Sequence, residues 1–421
     1  MAPRGLRPQP VIRQARGEGD GPHLSFGYCS MQGWRSRMED AHICEPSIKG
    51  PGGTQLSLFG IFDGHGGPGV AQYAAECFLD ILKATPQFQE ADYTAALRQA
   101  FLEVDKSLRT ASGRVRVAQL NAEEEDPPKP LTIAQALSPP VSRPAEDSPP
   151  SKRRRLRRHG ALCGSGNTVS TRQTASSEEP PPLSPPQEFA AGSPEVMGST
   201  ACVVLVEHAP RGAVRIPVGS PFRKLVAKTR VYSANVGDSE AFLRIGDGRV
   251  LPLSAPHKPN KPEERARIVA AGGSVARERG IFRVNGDLNL SRALGDFRHK
   301  NNQSVAACEQ VISPEPDVRM LPLEPEQSAL LVLCCDGVTD YKPGEQVCSI
   351  ISDGVGQGRK MSLCCSLVCD GCMGLPSARG GARVAPKAVK FGCSTDNMSV
   401  IAVQLDRRAD PPSPPAAEDT A

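Results

Sequence analysis

Apolar residues recur at helical spacing in two early stretches, Val70 to Lys83 and Tyr93 to Leu108. In the second they fall at Ala96, Ala100, Phe101, Val104 and Leu108, which predicts an amphipathic helix. Before them, Gln55 to Phe62 reads as a strand that stops at Asp63. Ala201 to Val206, Val231 to Val236, Ala329 to Cys335 and Met398 to Leu405 are compact apolar runs of strand length. Arg265 to Gly272 predicts a helix stopped by Gly272-Gly273, and Gly344 to Ile351 predicts another. Between Gly354 and Lys390 Cys, Gly and Arg are scattered without period, and no element is predicted there.

The gaps between these elements define the organisation. Residues 1–23 are rich in Arg, Gly and Pro without apolar periodicity and are expected to form a disordered tail. Residues 24–406 read as one domain, interrupted at about 113–195 by a Pro-rich stretch. That stretch carries an acidic run, Glu123–Asp126, and a basic run, Lys152–Arg158. It cannot bury enough apolar surface to offset its ordering entropy, so a disordered insertion is expected. A shorter interruption, Ala209 to Lys228, reads as an enlarged hairpin loop, and 407–421 as a second tail.

Composition changes this picture little. Of 421 residues 39% are hydrophobic, enough for a sizeable core, while 40 Pro, 40 Gly and 4% aromatics agree with a partly unfolded chain. A net charge of +4 does not suggest a nucleic-acid or membrane-surface partner. No apolar segment follows Met1 and no run approaches the roughly 20 residues of a membrane span. The 14 Cys are therefore expected to be reduced thiols. Ala2 offers no myristoylation site. The chain reads as a soluble intracellular monomer of the cytoplasm or nucleus. The run Lys152–Arg158 fits a nuclear-import signal and, equally, a solvated charge run.

The candidate chemistry lies at strand ends. Asp63 closes the run Leu56–Phe62, Asp336 closes Ala329–Cys335, and Asp396 precedes Met398–Val403. If the last two strands pair antiparallel, Asp336 and Asp396 become neighbours at one rim. Clustered carboxylates repel unless a cation neutralises them, and all-oxygen ligation suits Mg²⁺ or Mn²⁺. Arg35 to His42, read as a strand, puts Arg35, Arg37 and Glu39 on one face. That face suits a phosphate beside a metal, or equally a solvated surface with ordinary ion pairs.

Ten segments in order carry a resemblance that resolves these alternatives. They are Ser30–Arg35 with Met38–His42, Phe62–Gly67, Gly198–Ala201, Asn235–Ser239, and His257-Lys258-Pro259 with Glu263–Val275; then Arg283–Gly286, Leu290–Asp296, Pro314–Pro316, Cys335–Gly337 and Thr395–Met398. Together they closely resemble the metal-dependent protein phosphatase family, also called protein phosphatase type 2C. The resemblance implies an α+β fold, a sandwich of two antiparallel sheets flanked by helices, with two metals at one end. It implies that Asp63, Asp336 and Asp396 hold one Mg²⁺ or Mn²⁺. Asp63 would bridge to a second ion that also takes Glu39 and the Gly64 carbonyl. Asp238 and Asp340 match positions linked to a weaker third ion. Arg35 matches the phosphate-binding arginine and His65 the proposed general acid. Asp40 and Asn397 fall inside matched motifs as outer-shell candidates.

The function so implied is hydrolysis of phosphoserine and phosphothreonine in proteins by a metal-activated water. Three departures stand out: Glu240 replaces the usual arginine after Gly-Asp-Ser, Thr339 replaces the usual tryptophan, and 354–390 matches poorly. Two other readings are a pseudophosphatase that keeps the fold as a binding module, and a zinc protein using Cys364, Cys365, Cys369 and Cys372. Intact Glu39, Asp63, Asp336 and Asp396 argue against the first. A single Cys-x-x-Cys pair argues against the second.

Overall fold

Strand Gln55–Phe62 (β4) is buried on both faces: Leu56, Leu58 and Phe62 on one, Phe59 and Ile61 on the other. A strand so placed needs a packed layer on each side. The first set joins a cluster with helices Gly69–Ala84 (α1) and Tyr93–Leu108 (α3), where Phe78 stands edge-on to Phe101. The second set faces another sheet, Phe59 meeting Phe26 at 5.5 Å between ring centroids. Strand Ala201–Glu207 (β7) alternates likewise: Ala201, Val203 and Leu205 go to the helices, Cys202, Val204 and Val206 to the sheet.

The computed structural model describes residues 6–123, 193–210, 228–324, 327–374 and 393–405. One sheet has five strands in the order β14-β8-β7-β4-β3, with Asp317–Pro322 as β14, Arg230–Val236 as β8 and Ala41–Lys49 as β3. The other has six in the order β1-β2-β16-β15-β9-β10. These are Leu6–Gly21, Leu24–Arg35, Met398–Leu405, Ala329–Cys334, Glu240–Ile245 and Val250–Pro252. All neighbours pair antiparallel. Helices Gly344–Gly356 (α7) and Met361–Cys372 (α8) cover the outer face of the six-stranded sheet. The result is the helix–sheet–sheet–helix sandwich that the family resemblance implies. Predicted helices and strands recur within a few residues of their expected bounds; Arg265–Gly272 becomes Pro262–Ala270 (α5).

Four expectations are corrected. First, Leu6–Gly21 is not a tail but edge strand β1 along β2. Its residues are polar because one edge of the ladder faces solvent, so backbone hydrogen bonds rather than an apolar stripe hold it. Gln14 exchanges hydrogen bonds with Asp370 (2.9 Å) and Ser366 (2.6 Å) of α8. Second, helix Ala111–Glu123 (α4) occupies the start of the expected insertion, because Val117 and Leu120 at i, i+3 bury their side chains. Residues 124–192, including the basic run, and most of Ala209–Lys228 lie outside the described residues.

Third, Arg35 to His42 is not one strand. β2 ends at Arg35 and β3 begins at Ala41, because residues 36–40 cross from one sheet to the other. Arg37 therefore leaves the Arg35 face and donates to Asn121 Oδ1 of α4 at 3.2 Å. Fourth, the unpatterned stretch after Gly354 contains α8. Its Cys364, Cys365, Cys369 and Cys372 are buried free thiols in the core, and burial pushes the Cys364 and Cys365 thiols up. No helix among the described residues is long and apolar enough to cross a membrane.

Candidate active site and metal centre

The two sheets deliver carboxylates to a common rim. β15 and β16 pair with Cys334 opposite Val400, so Asp336 just past one and Asp396 just before the other leave the sheet together. Asp336 opens the short helix Asp336–Thr339 (α6). From the other sheet, β4 ends at Phe62 and presents Asp63, whose carbonyl accepts from the Thr200 amide at 2.9 Å. The Asp63 carboxylate lies in the field of Asp336, Asp40, Asp396 and Asp238.

Electrostatics follow from that crowding. Burial, then Asp336 and the other carboxylates, hold Asp63 well above the ordinary carboxylate range. Burial, then Asp238 and Asp396, do the same to Asp336. Asp40 is buried and pushed up to about 7, mainly by burial, although Ser399 Oγ donates to its Oδ2 at 2.7 Å. Its Oδ1 is buried without a hydrogen-bond partner. Burial also raises Glu39, partly offset by Arg35. Carboxylates that resist ionisation and a buried carboxylate oxygen without a partner are what a hard cation would relieve. The donor set therefore fits Mg²⁺ or Mn²⁺.

Among the described residues, the one tight group of three metal-competent donors is not the predicted set. It is Asp40, Asp63 and Cys335, with donor atoms within 4.8 Å of one another. Asp40 was expected in the outer shell and Cys335 only as a motif neighbour.

Glu39 is positioned through its backbone. Its amide donates to Asn397 Oδ1 at 2.8 Å, and Asn397 Nδ2 donates to the carbonyls of Gln32 (2.8 Å) and Arg37 (3.0 Å). Gly64 lies so close to this crossing segment that a Cβ would come within 2.3 Å of the Glu39 carbonyl. Gly64–His65 (β5) and Gly198–Ser199 (β6) pair beside Leu294–Gly295 (β13) in a three-stranded sheet. Arg35 Nη2 meets Asp396 Oδ2 at 2.6 Å while remaining substantially exposed. His65 Nε2 lies 2.7 Å from Asp296 Oδ2, and Asp296, with Glu39 and Asp238, raises the His65 pKa against the effect of burial.

Asp238 and Asp340 form the far side of the cluster. Asp238 pairs with Lys258, whose ammonium also feels Asp336 and Asp340 and is raised despite burial. Burial raises the Glu240 pKa and the nearby Thr339 hydroxyl opposes it, so the two departures from the family pattern lie close together. Lys258 and Asp296 lie inside matched motifs, yet nothing in their spacing singles them out.

The family model for protein phosphatase 2C matches residues 24–125 and 183–377. The chain is 29% identical to protein phosphatase 2C homolog 2 of Hypocrea jecorina over 401 residues, covering 94% of this chain and 65% of that protein. Against protein phosphatase 2C homolog 2 of Schizosaccharomyces pombe it is 28% identical over 397 residues, covering 94% and 76%. A serine-threonine phosphatase 2C from Toxoplasma gondii superposes with TM-score 0.57 at 16% identity, covering 94% of this chain and 99% of that one. A second Toxoplasma gondii phosphatase gives 0.56 at 23%, covering 94% and 96%. The family match and these relatives place the chain in the class of protein serine/threonine phosphatases. The chain belongs to the protein phosphatase 2C family.

Proposed function

We propose that this chain hydrolyses phosphoserine and phosphothreonine in proteins, using a water activated by two divalent ions. The observation that carries the reading is the convergence of Asp63, Asp336, Asp396, Glu39 and Asp40 at one rim, two of them held well above the carboxylate range. Asp63, Asp336 and Asp396 would hold one Mg²⁺ or Mn²⁺; Asp63, Glu39 and the Gly64 carbonyl would hold another. When bound, the ions would acidify an attacking water and screen the phosphoryl charge. Asp238 and Asp340 would take a weaker third ion once Lys258 yields its place.

The chain's own residues supply the rest. Arg35 is exposed at the rim and orients the phosphoryl oxygens with its guanidinium. His65 gives a proton to the departing serine or threonine oxygen. Thr200 pins the Asp63 backbone, and Asn397 pins that of Glu39.

The test is release of inorganic phosphate from a phosphothreonine peptide by the full chain with Mn²⁺ or Mg²⁺. Activity with metal and none in excess EDTA is expected. A metal-loaded chain that binds the peptide without turnover would make it the pseudophosphatase instead.

A further inference from the structure

We infer that Asp296 is the positioning residue for His65: a buried carboxylate that holds the ring by Nε2 and leaves Nδ1 to face the reaction. This rests on the reading of His65 as proton donor.

The local fold is built around this contact. β5, β6 and β13 are two-residue strands that bring His65, Gly198 and Gly295 side by side. The His65–Asp296 bond crosses directly over Gly198. A Cβ there would lie within 2.5 Å of His65 Nε2, and closer still to the Asp296 carboxylate. Asp296 itself is fully buried and left-handed at φ 52, ψ 41, a conformation that non-glycine residues adopt only when their surroundings over-determine it.

Hydrogen bonds on both sides fix that backbone. The Asp296 amide donates to the Met197 carbonyl at 2.8 Å and its carbonyl accepts from the His299 amide at 2.9 Å. One residue back, the Gly295 amide donates to Asp105 Oδ1 at 2.9 Å. Asp105 is locked in turn by the buried Lys300 ammonium at 2.6 Å, which also donates to the Ala293 carbonyl at 2.7 Å.

The hydrogen-bond inventory points the same way. Asp296 Oδ2 has His65 as its partner, while Oδ1 is buried without one. A carboxylate so placed is poor value for stability, since a buried polar atom without a partner is costly. Its use lies in what it holds. An ionised carboxylate only accepts, so the His65 ring donates from Nε2, and its one remaining nitrogen is Nδ1. The ring cannot swing away without stranding the second carboxylate oxygen as well.

The test uses Asp296→Gly, which tolerates the left-handed backbone, and Asp296→Asn, which keeps an acceptor oxygen. Each is measured with the full chain in Mn²⁺, alone and with His65→Gln. On a phosphoserine peptide Asp296→Gly is expected to lower kcat by about 10-fold or more with KM little changed, a part of the roughly 10²–10⁴-fold that general-acid help supplies. On p-nitrophenyl phosphate, whose leaving group needs no proton, the loss should be small. Asp296→Asn should recover part of the peptide rate, and neither change should add to the loss in His65→Gln. Independently of turnover, the His65 Nε2 proton should give a slowly exchanging signal by NMR in the parent and lose it in Asp296→Gly. Unchanged ring-proton exchange overturns the inference, as does an equal kinetic loss with and without His65. If His65→Gln costs nothing on either substrate, the acid reading fails alone, and the ring proton still decides whether Asp296 holds the ring. Thermal unfolding of each variant separates these outcomes from misfolding.

Discussion

The Glu39 amide donates to Asn397 Oδ1 at 2.8 Å across 358 positions of sequence, so one side chain before β16 fixes the crossing segment between β2 and β3. Asn397 makes three such bonds in all. Asn397→Ala should cost about 2–4 kcal/mol of stability at roughly 1 kcal/mol per bond, with some additional loss from the stranded groups. It should also raise the Mn²⁺ concentration needed for half-maximal activity. Thermal unfolding and a metal titration check the two effects separately; an unchanged metal requirement would detach Asn397 from the site.

Asp336→Asn should reduce turnover by orders of magnitude while raising the unfolding temperature in chelator. The sign follows from linkage. Asp40, Asp63 and Asp336 have folded pKa values raised above the ordinary value. Their contribution to stability is therefore full below the unfolded pKa and is lost as pH rises. For Asp40 that window runs from 3.8 to about 7. Unfolding temperatures in EDTA should fall across it, and Mn²⁺ should restore them. A flat profile in EDTA would remove the case for carboxylate repulsion.

Glu264 on α5 tests stability away from the metals. It is buried and accepts from Arg267 at 2.7 Å, Arg292 at 2.6 Å and Ser291 at 2.6 Å. Burial opposes ionisation, yet Arg292, Arg267 and Ser291 pull its pKa down to about 2. A depressed carboxylate stabilises above its unfolded pKa, so this contribution should fade as pH falls from 4.5 to about 2. Glu264→Gln removes the carboxylate from two half-buried guanidinium groups, of which Arg292 keeps Asp317 at 2.9 Å, and should cost about 1–3 kcal/mol at neutral pH. Its loss of stability in acid should be shallower than the parent's, which chemical unfolding at several pH values would show.

Glu240 and Thr339 should behave as a pair. Thr339→Trp alone overpacks the end of α6 and should cost about 1–3 kcal/mol. Glu240→Arg alone removes the carboxylate beside Thr339 and brings a cation near Lys258. Changing both restores the family's usual residues, and the double variant should be more stable than the sum of the singles by about 0.5–3 kcal/mol. Additive losses in a double-mutant cycle would show that the two departures arose independently.

The basic run Lys152–Arg158 makes a prediction about location. A reporter carrying residues 145–165 should concentrate in the nucleus. An even spread between nucleus and cytoplasm would reduce the run to a solvated charge patch.

By itself the sequence determined the amphipathic helices α1 and α3, the buried strands and the carboxylates at their ends. Each of these is a local record: periodicity reports which faces are buried, and a run of apolar residues reports that both are. The antiparallel pairing that unites Asp336 with Asp396 could be argued from the same local record, and the register bears it out. Tertiary structure alone decided what has no local signature. β1 is polar because an edge strand is held by its backbone ladder, so its composition looks like that of a tail. Arg37 turns to α4 because the chain must change sheets after Arg35. Glu240 comes beside Thr339, and Asp296 reaches His65, through strand pairings between distant segments that no single segment encodes. A contact between residues 231 positions apart depends on register, layer spacing and a left-handed turn together, and those are set only when the whole core packs.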